Sequence, residues 1–119
     1  MKCDLGYLCE VCEQAVETLP ESELYLRYVI GRVDPETLHT TCERHLRCSP
    51  AFSQFIVDDD FEPVFAVGDF DKRKLDPQFV AEQEELVTRG WRRLRELSQM
   101  RELSLLEYPL PEVVEKWRR

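Results

Sequence analysis

Apolar positions in this chain recur mostly at intervals of three and four, the spacing of one face of a helix. Leu8, Val11, Cys12, Ala15, Val16 and Leu19 keep that interval and Pro20 stops it, so a helix is predicted over 8–19. Ser22 then precedes Leu24, Tyr25, Tyr28 and Val29, a stripe that ends near Gly31. This also reads as a helix, with a strand as the alternative because Tyr, Val and Ile suit a pleated surface. Asp34-Pro35-Glu36 is a helix start, with Asp34 as N-cap and Pro35 in the first helical position, and the helix is expected to run to about Leu46. Ser49-Pro50 repeats the signal before Phe52, Phe55 and Ile56, and Asp58-Asp59-Asp60 ends that element.

Phe61 to Phe70 breaks the helical interval. Val64, Phe65, Ala66 and Val67 form a short apolar run between Pro63 and Gly68-Asp69, which suits one strand or an extended segment near 63–67. Asp71 to Lys74 reads as a charged loop. Asp76-Pro77 opens the longest helix, predicted over about 76–100, with Phe79, Val80, Leu86, Val87, Trp91, Leu94 and Leu97 on one face. Pro109 and Pro111 lead into a last turn or two over Glu112–Trp117, where Trp117 with Leu110, Val113 and Val114 packs back on the body or joins an interface. The pattern predicts a mainly α fold with at most a short strand near 63–67, and α+β is the alternative.

Composition fits one domain spanning 1–119. The chain is 43% hydrophobic and 34% charged, enough to bury a core, and has no stretch long enough to cross a membrane. Met1-Lys2-Cys3-Asp4 has no apolar run behind its lysine, so no secretory signal is expected and the location is taken as cytoplasmic. The net charge of −8 is uneven. Residues 1–63 carry 13 acidic and 5 basic side chains, whereas residues 64–119 carry 11 of each. An acidic surface repels phosphate, so nucleic acid is not expected as a partner. Arg89, Arg92, Arg93, Arg95 and Arg101 make the end of the long helix basic, able to favour the helix C-terminus, to meet the acidic first half, or to dock an acidic partner.

The candidate chemistry lies in the acidic half. Cytosolic thiols stay reduced and the count of 5 cysteines is odd, which favours metal or buried thiols over a disulfide framework. Cys9-x2-Cys12 offers two thiolates at a spacing that reaches one tetrahedral ion, and the second pair comes from Cys42-x2-His45 or His45-x2-Cys48. On a helix from Pro35, residues 38, 42, 45 and 48 share a face, and His39 points away. Cys48 sits just before Ser49-Pro50, where free amides and the helix dipole favour a thiolate. The ligand set is therefore Cys9, Cys12, His45 and Cys48, with Cys42 in reserve as a small apolar residue beside Leu38.

Four protein ligands leave no open position, so the expected zinc is structural and would staple the part of the chain over about 1–57. Neither a glycine between or directly after Cys9 and Cys12, as knuckles usually carry, nor a hairpin pattern between the two pairs is present. A catalytic triad order, a phosphate-binding glycine loop and an HExxH pattern are all lacking. The functional expectation is a small zinc-binding module that acts on an unidentified protein partner through its surface. The rivals are a metal-free helical adaptor with buried thiols and a zinc- or thiol-dependent enzyme.

Overall fold

The computed structural model describes residues 7–100 and 104–117, without the side chains of Tyr7, His39 and Trp117. The expectations for the first four residues, for the direction of His39, for Arg101 and for the packing of Trp117 lie outside the described residues.

The fold is mainly α, and its centre is the seam between two helices. Helix α1 (Glu23–Val29) begins where the stripe after Ser22 predicts it, and the Ser22 side chain accepts from the Tyr25 amide at 3.0 Å. Helix α3 (Pro77–Leu97) starts at the predicted Asp-Pro signal, with Asp76 accepting from the Phe79 amide at 3.0 Å. Each cap satisfies an amide that the helix itself leaves without a partner. Between α1 and α3, the fully buried Tyr25, Leu26, Tyr28 and Val29 meet Val87, Trp91 and Leu94. The helices cross at Gly90, where a Cβ would stand 2.5 Å from Ile30 Cγ2 and 2.8 Å from Leu26 Cδ1. The N-terminal turn of α3 is not part of this seam: Phe79 is 46% exposed, against the predicted face, and its ring meets Phe55 edge-on.

Short elements close the core. Helix α2 (Pro50–Ser53) is a single turn that brings Phe52 inward, followed by the buried Phe55 and Ile56. Helix α4 (Pro111–Trp117) is held to α1 where the Leu110 amide donates to the Val29 carbonyl at 3.0 Å. Gly31, at φ +88, leaves room there for Val113. The Trp91 indole donates to the Pro20 carbonyl at 3.2 Å and ties the turn before α1 to the long helix. Arg92 pairs with Asp58 at 2.6 Å and Arg95 with Asp60 at 2.7 Å, so the basic end of α3 meets acids from the first half of the same chain.

Two helix expectations are corrected. Residues 8–19 are not a helix. They form an antiparallel ribbon of β1 (Tyr7–Leu8) and β2 (Ala15–Val16), paired Tyr7 with Val16 and Leu8 with Ala15, and then a 3-10 turn over Leu19–Glu21. The apolar stripe that suggested a helix is split, because Val16 and Leu19 are buried while Leu8 and Val11 are 63% and 54% exposed. Instead the Cys9 amide donates to the Gln14 carbonyl and the Glu13 amide to the Cys9 carbonyl, which reverses the chain between the two strands.

The helix expected from Pro35 to Leu46 is also absent. Asp34 does cap, accepting from the Thr37 amide at 2.7 Å, but only a 3-10 turn over Thr37–His39 follows. Thr40 and Thr41 both turn their hydroxyls back to the Thr37 carbonyl, at 3.1 and 2.7 Å, competing with helical propagation in a stretch rich in β-branched residues. Beyond them the chain runs without helix through Cys42–Arg44 to His45, which pairs with Ser22 across an antiparallel bridge. Of the strand or extended segment expected near 63–67, the chain forms the unpaired segment, with Val67 in extended backbone. The segment carries the predicted apolar run as irregular chain and pairs with no other strand among the described residues.

Candidate metal centre

The ribbon turn and the His45 segment converge, and their convergence builds the site. Cys9 and Cys12 flank the turn between β1 and β2. His45 precedes a 3-10 turn over Leu46–Cys48, which swings Cys48 back toward the same point. A backbone bond joins the two segments, Glu10 N–H to the Glu43 carbonyl at 3.1 Å, and another, Glu23 N–H to the Arg44 carbonyl at 2.8 Å, ties the His45 segment to the start of α1. An Arg44–Glu10 ion pair lies over the junction. Glu43 is buried beneath it and accepts from the Ser22 hydroxyl at 2.8 Å and from the Arg44 amide at 3.1 Å.

Cys9, Cys12, His45 and Cys48 offer one donor atom each, and these atoms all lie within 4.8 Å of one another. His45 Nδ1 is 3.3 Å from Cys12 Sγ and 4.0 Å from Cys48 Sγ. A tetrahedral zinc with its usual bond lengths separates sulfur and nitrogen donors by roughly 3.6 Å. The two observed spacings fall on either side of that value. His45 Nε2 is 2.9 Å from the Ala15 carbonyl oxygen. A carbonyl oxygen only accepts, so Nε2 carries the proton and Nδ1 keeps its lone pair for the cluster. Orientation and tautomer are thus set by β2 before any ion arrives. Three thiols and one imidazole are the donor types that borderline-soft metals take, and the group is able to hold a metal ion.

The amides at the turn favour the anion. Val11 N–H and His45 N–H both point at Cys9 Sγ, each at 3.4 Å. Burial pushes the Cys9 thiol up, but the amides of Cys12, His45 and Val11 outweigh it and hold the group at about 6. Cys48 moves the other way, pushed up to about 12 by burial and then by the neighbouring Cys12 and Cys9 sulfurs. The helix dipole invoked for Cys48 does not carry the day, since α2 is one turn long and the crowd of sulfurs is nearer. The surroundings thus favour the thiolate at Cys9 and the thiol at Cys48.

Glu13 supplies what the missing glycine would. It adopts φ +63, the left-handed conformation by which the chain turns back after Cys12 toward β2. The residue order carries no signal that marks Glu13 for that turn. The Ala15 carbonyl and the buried Glu43 have none either, because their roles depend on which segments meet in space. Cys42 lies outside the cluster. It is exposed, not packed beside Leu38, and faces a shallow depression with Glu23, Arg27 and Arg44. A second cleft runs beside the metal centre itself, lined by Pro20, His45, Cys48, Phe61 and Trp91.

No helix among the described residues is long and apolar enough to cross a membrane. Comparison with known proteins finds no matching family model, no matching curated protein and no matching solved structure.

Proposed function

We propose that this chain is a single-domain zinc-binding module whose metal is structural and whose work is to present a surface to a protein partner. Cys9, Cys12, His45 and Cys48 would hold the ion, and Cys42 would not. When bound, zinc supplies four bonds that fasten the β1–β2 ribbon to the segment before α2. The observation that carries the reading is the convergence of four donors within 4.8 Å, with the imidazole already turned by Ala15. Four protein donors fill a tetrahedral shell, which supports a structural role over a catalytic one. The metal-free reading makes the thiols core residues. Cys12 is exposed and Cys48 half-buried, which is a poor use of two small apolar side chains.

The test is metal content of the protein expressed in zinc-replete medium, by native mass spectrometry and elemental analysis. One zinc per chain is expected in the wild type and in Cys42→Ser, with weakened retention in His45→Ala. An absence of metal from the wild type overturns the proposal, and full retention in His45→Ala overturns the ligand assignment.

A further inference from the structure

We infer that residues 63–67 form a docking strand, which captures an extended apolar segment of a partner protein, flanked by lysine or arginine, through backbone pairing. The segment alternates as a strand does. Val64 packs against the core and Ala66 is buried, while Phe65 and Val67 stand 70% and 86% exposed. Val67 has φ −115 and ψ 159, extended backbone. Pro63 begins the segment and Gly68, at φ +73, turns the chain away after it. Among the described residues, no backbone amide or carbonyl of residues 63–66 takes part in a hydrogen bond, and the Val67 carbonyl opens the 3-10 turn over Gly68–Phe70.

An extended segment with open backbone groups and outward apolar side chains is a template for strand addition. Exposed Phe65 and Val67 gain nothing from the unpaired state. Phe70 extends the apolar surface just beyond the turn and is also 70% exposed. Natural edges are commonly guarded by lysine. Residues 62–69 contain none, and carry acids instead.

Those acids select the occupant. Asp58 and Asp60 are engaged by Arg92 and Arg95, but Asp59, Glu62 and Asp69 have no ion pair among the described residues. A second copy of this chain would set the same acids against each other, and like charges across paired strands repel. A segment with basic residues outside its apolar centre meets both features at once. The inference rests on the reading of the chain as a surface-presenting module, and names the surface and the chemistry of the partner.

The probe is a synthetic peptide of alternating valine and threonine with lysines at both ends, titrated into the zinc-loaded full chain. Binding is expected to slow exchange of amides within 64–67 by about tenfold or more. Phe65→Ser and Glu62→Lys with Asp69→Lys are each expected to weaken binding by about tenfold. Both variants alter exposed side chains, and circular dichroism checks that the fold is kept. The same peptide N-methylated at alternate amides should not bind. Equal binding by the N-methylated peptide, binding without protection of residues 64–67, or no binding overturns the inference. So does protection that rises with protein concentration in the absence of peptide, which would make a second copy the occupant. Zinc measured on the same sample separates the two proposals. Capture of the peptide without zinc leaves the docking strand standing and removes the metal, whereas zinc without capture does the reverse.

Discussion

Stripping the metal should unfold the ribbon and leave the helical seam. Ordering the ten residues 7–16 costs about 10–20 kcal/mol of backbone entropy. Against it stand the bonds of the β1–β2 pairing and those from Cys9 to Gln14, Glu13 to Cys9 and Glu10 to Glu43, worth about 1 kcal/mol each. Burial of Val16 adds about 2 kcal/mol. Contacts alone therefore fall short, and a structural zinc contributing about 10–16 kcal/mol closes the gap. None of the residues in the α1–α3 seam belongs to the donor cluster, so that seam would not need the ion. The assay is amide exchange before and after a strong chelator. Amides of Cys9, Glu10 and Glu13 should exchange freely in the stripped protein, while those of Ile30 and Ser98, bonded to Leu26 and Leu94, keep their protection. The first turn of α1 should show a partial effect, because Glu23 N–H is bonded to the Arg44 carbonyl. Continued protection of Cys9 and Glu13 after complete removal of metal, or simultaneous loss throughout the chain, would refute the reasoning.

Other expectations follow from single positions. Glu13→Gly relieves a left-handed L-residue but frees the unfolded chain, so the zinc-loaded protein should gain less than about 1 kcal/mol in a thermal melt. Gly90→Ala gains about 1 kcal/mol of helix propensity and loses about 1–3 kcal/mol to overpacking against Ile30 and Leu26, so urea denaturation should show net destabilisation. Asp71 is held at about 2, chiefly by the Arg73 side chain and then its amide. Because the folded value lies below the unfolded one, its stabilisation is present above the ordinary carboxylate range and lost as pH falls toward about 2. Asp71→Asn should therefore flatten the acid limb of stability between the two values, read by circular dichroism. An unchanged limb would count against the Arg73 pairing.

Helix starts could be read from residue order because they are local. Ser22, Asp34 and Asp76 each cap the third residue beyond, whatever the distant chain does. The length of the element that follows is another matter. After Asp76, good helix formers and a buried face sustain 21 residues. After Asp34, Thr37, Thr40 and Thr41 return their hydrogen bonds to their own turn and the helix stops.

The ligand set shows the same division. Donor types and x2 spacings mark Cys9, Cys12, His45 and Cys48, yet the helix expected to carry 42, 45 and 48 on one face does not exist, and the helix start that favoured Cys48 over Cys42 is a single turn. The choice depends instead on the 3-10 turn over Leu46–Cys48, which brings Cys48 to His45 and leaves Cys42 on the other side of the junction. Periodicity fails at 8–19 for a related reason. Side chains of Cys9 and Cys12 are drawn to a common donor cluster rather than to a greasy face, and hydropathy does not encode that.

The cleft between the metal centre and Trp91 gives the molecule an optical property. The indole lines the same recess as His45 and Cys48 and is anchored to the Pro20 carbonyl, one turn ahead of α1. Movement of the His45 segment changes the polarity and quenching groups around that ring, while the other tryptophan, Trp117, belongs to α4. Intrinsic fluorescence should thus follow occupancy without any label, and the chain would act as its own dye.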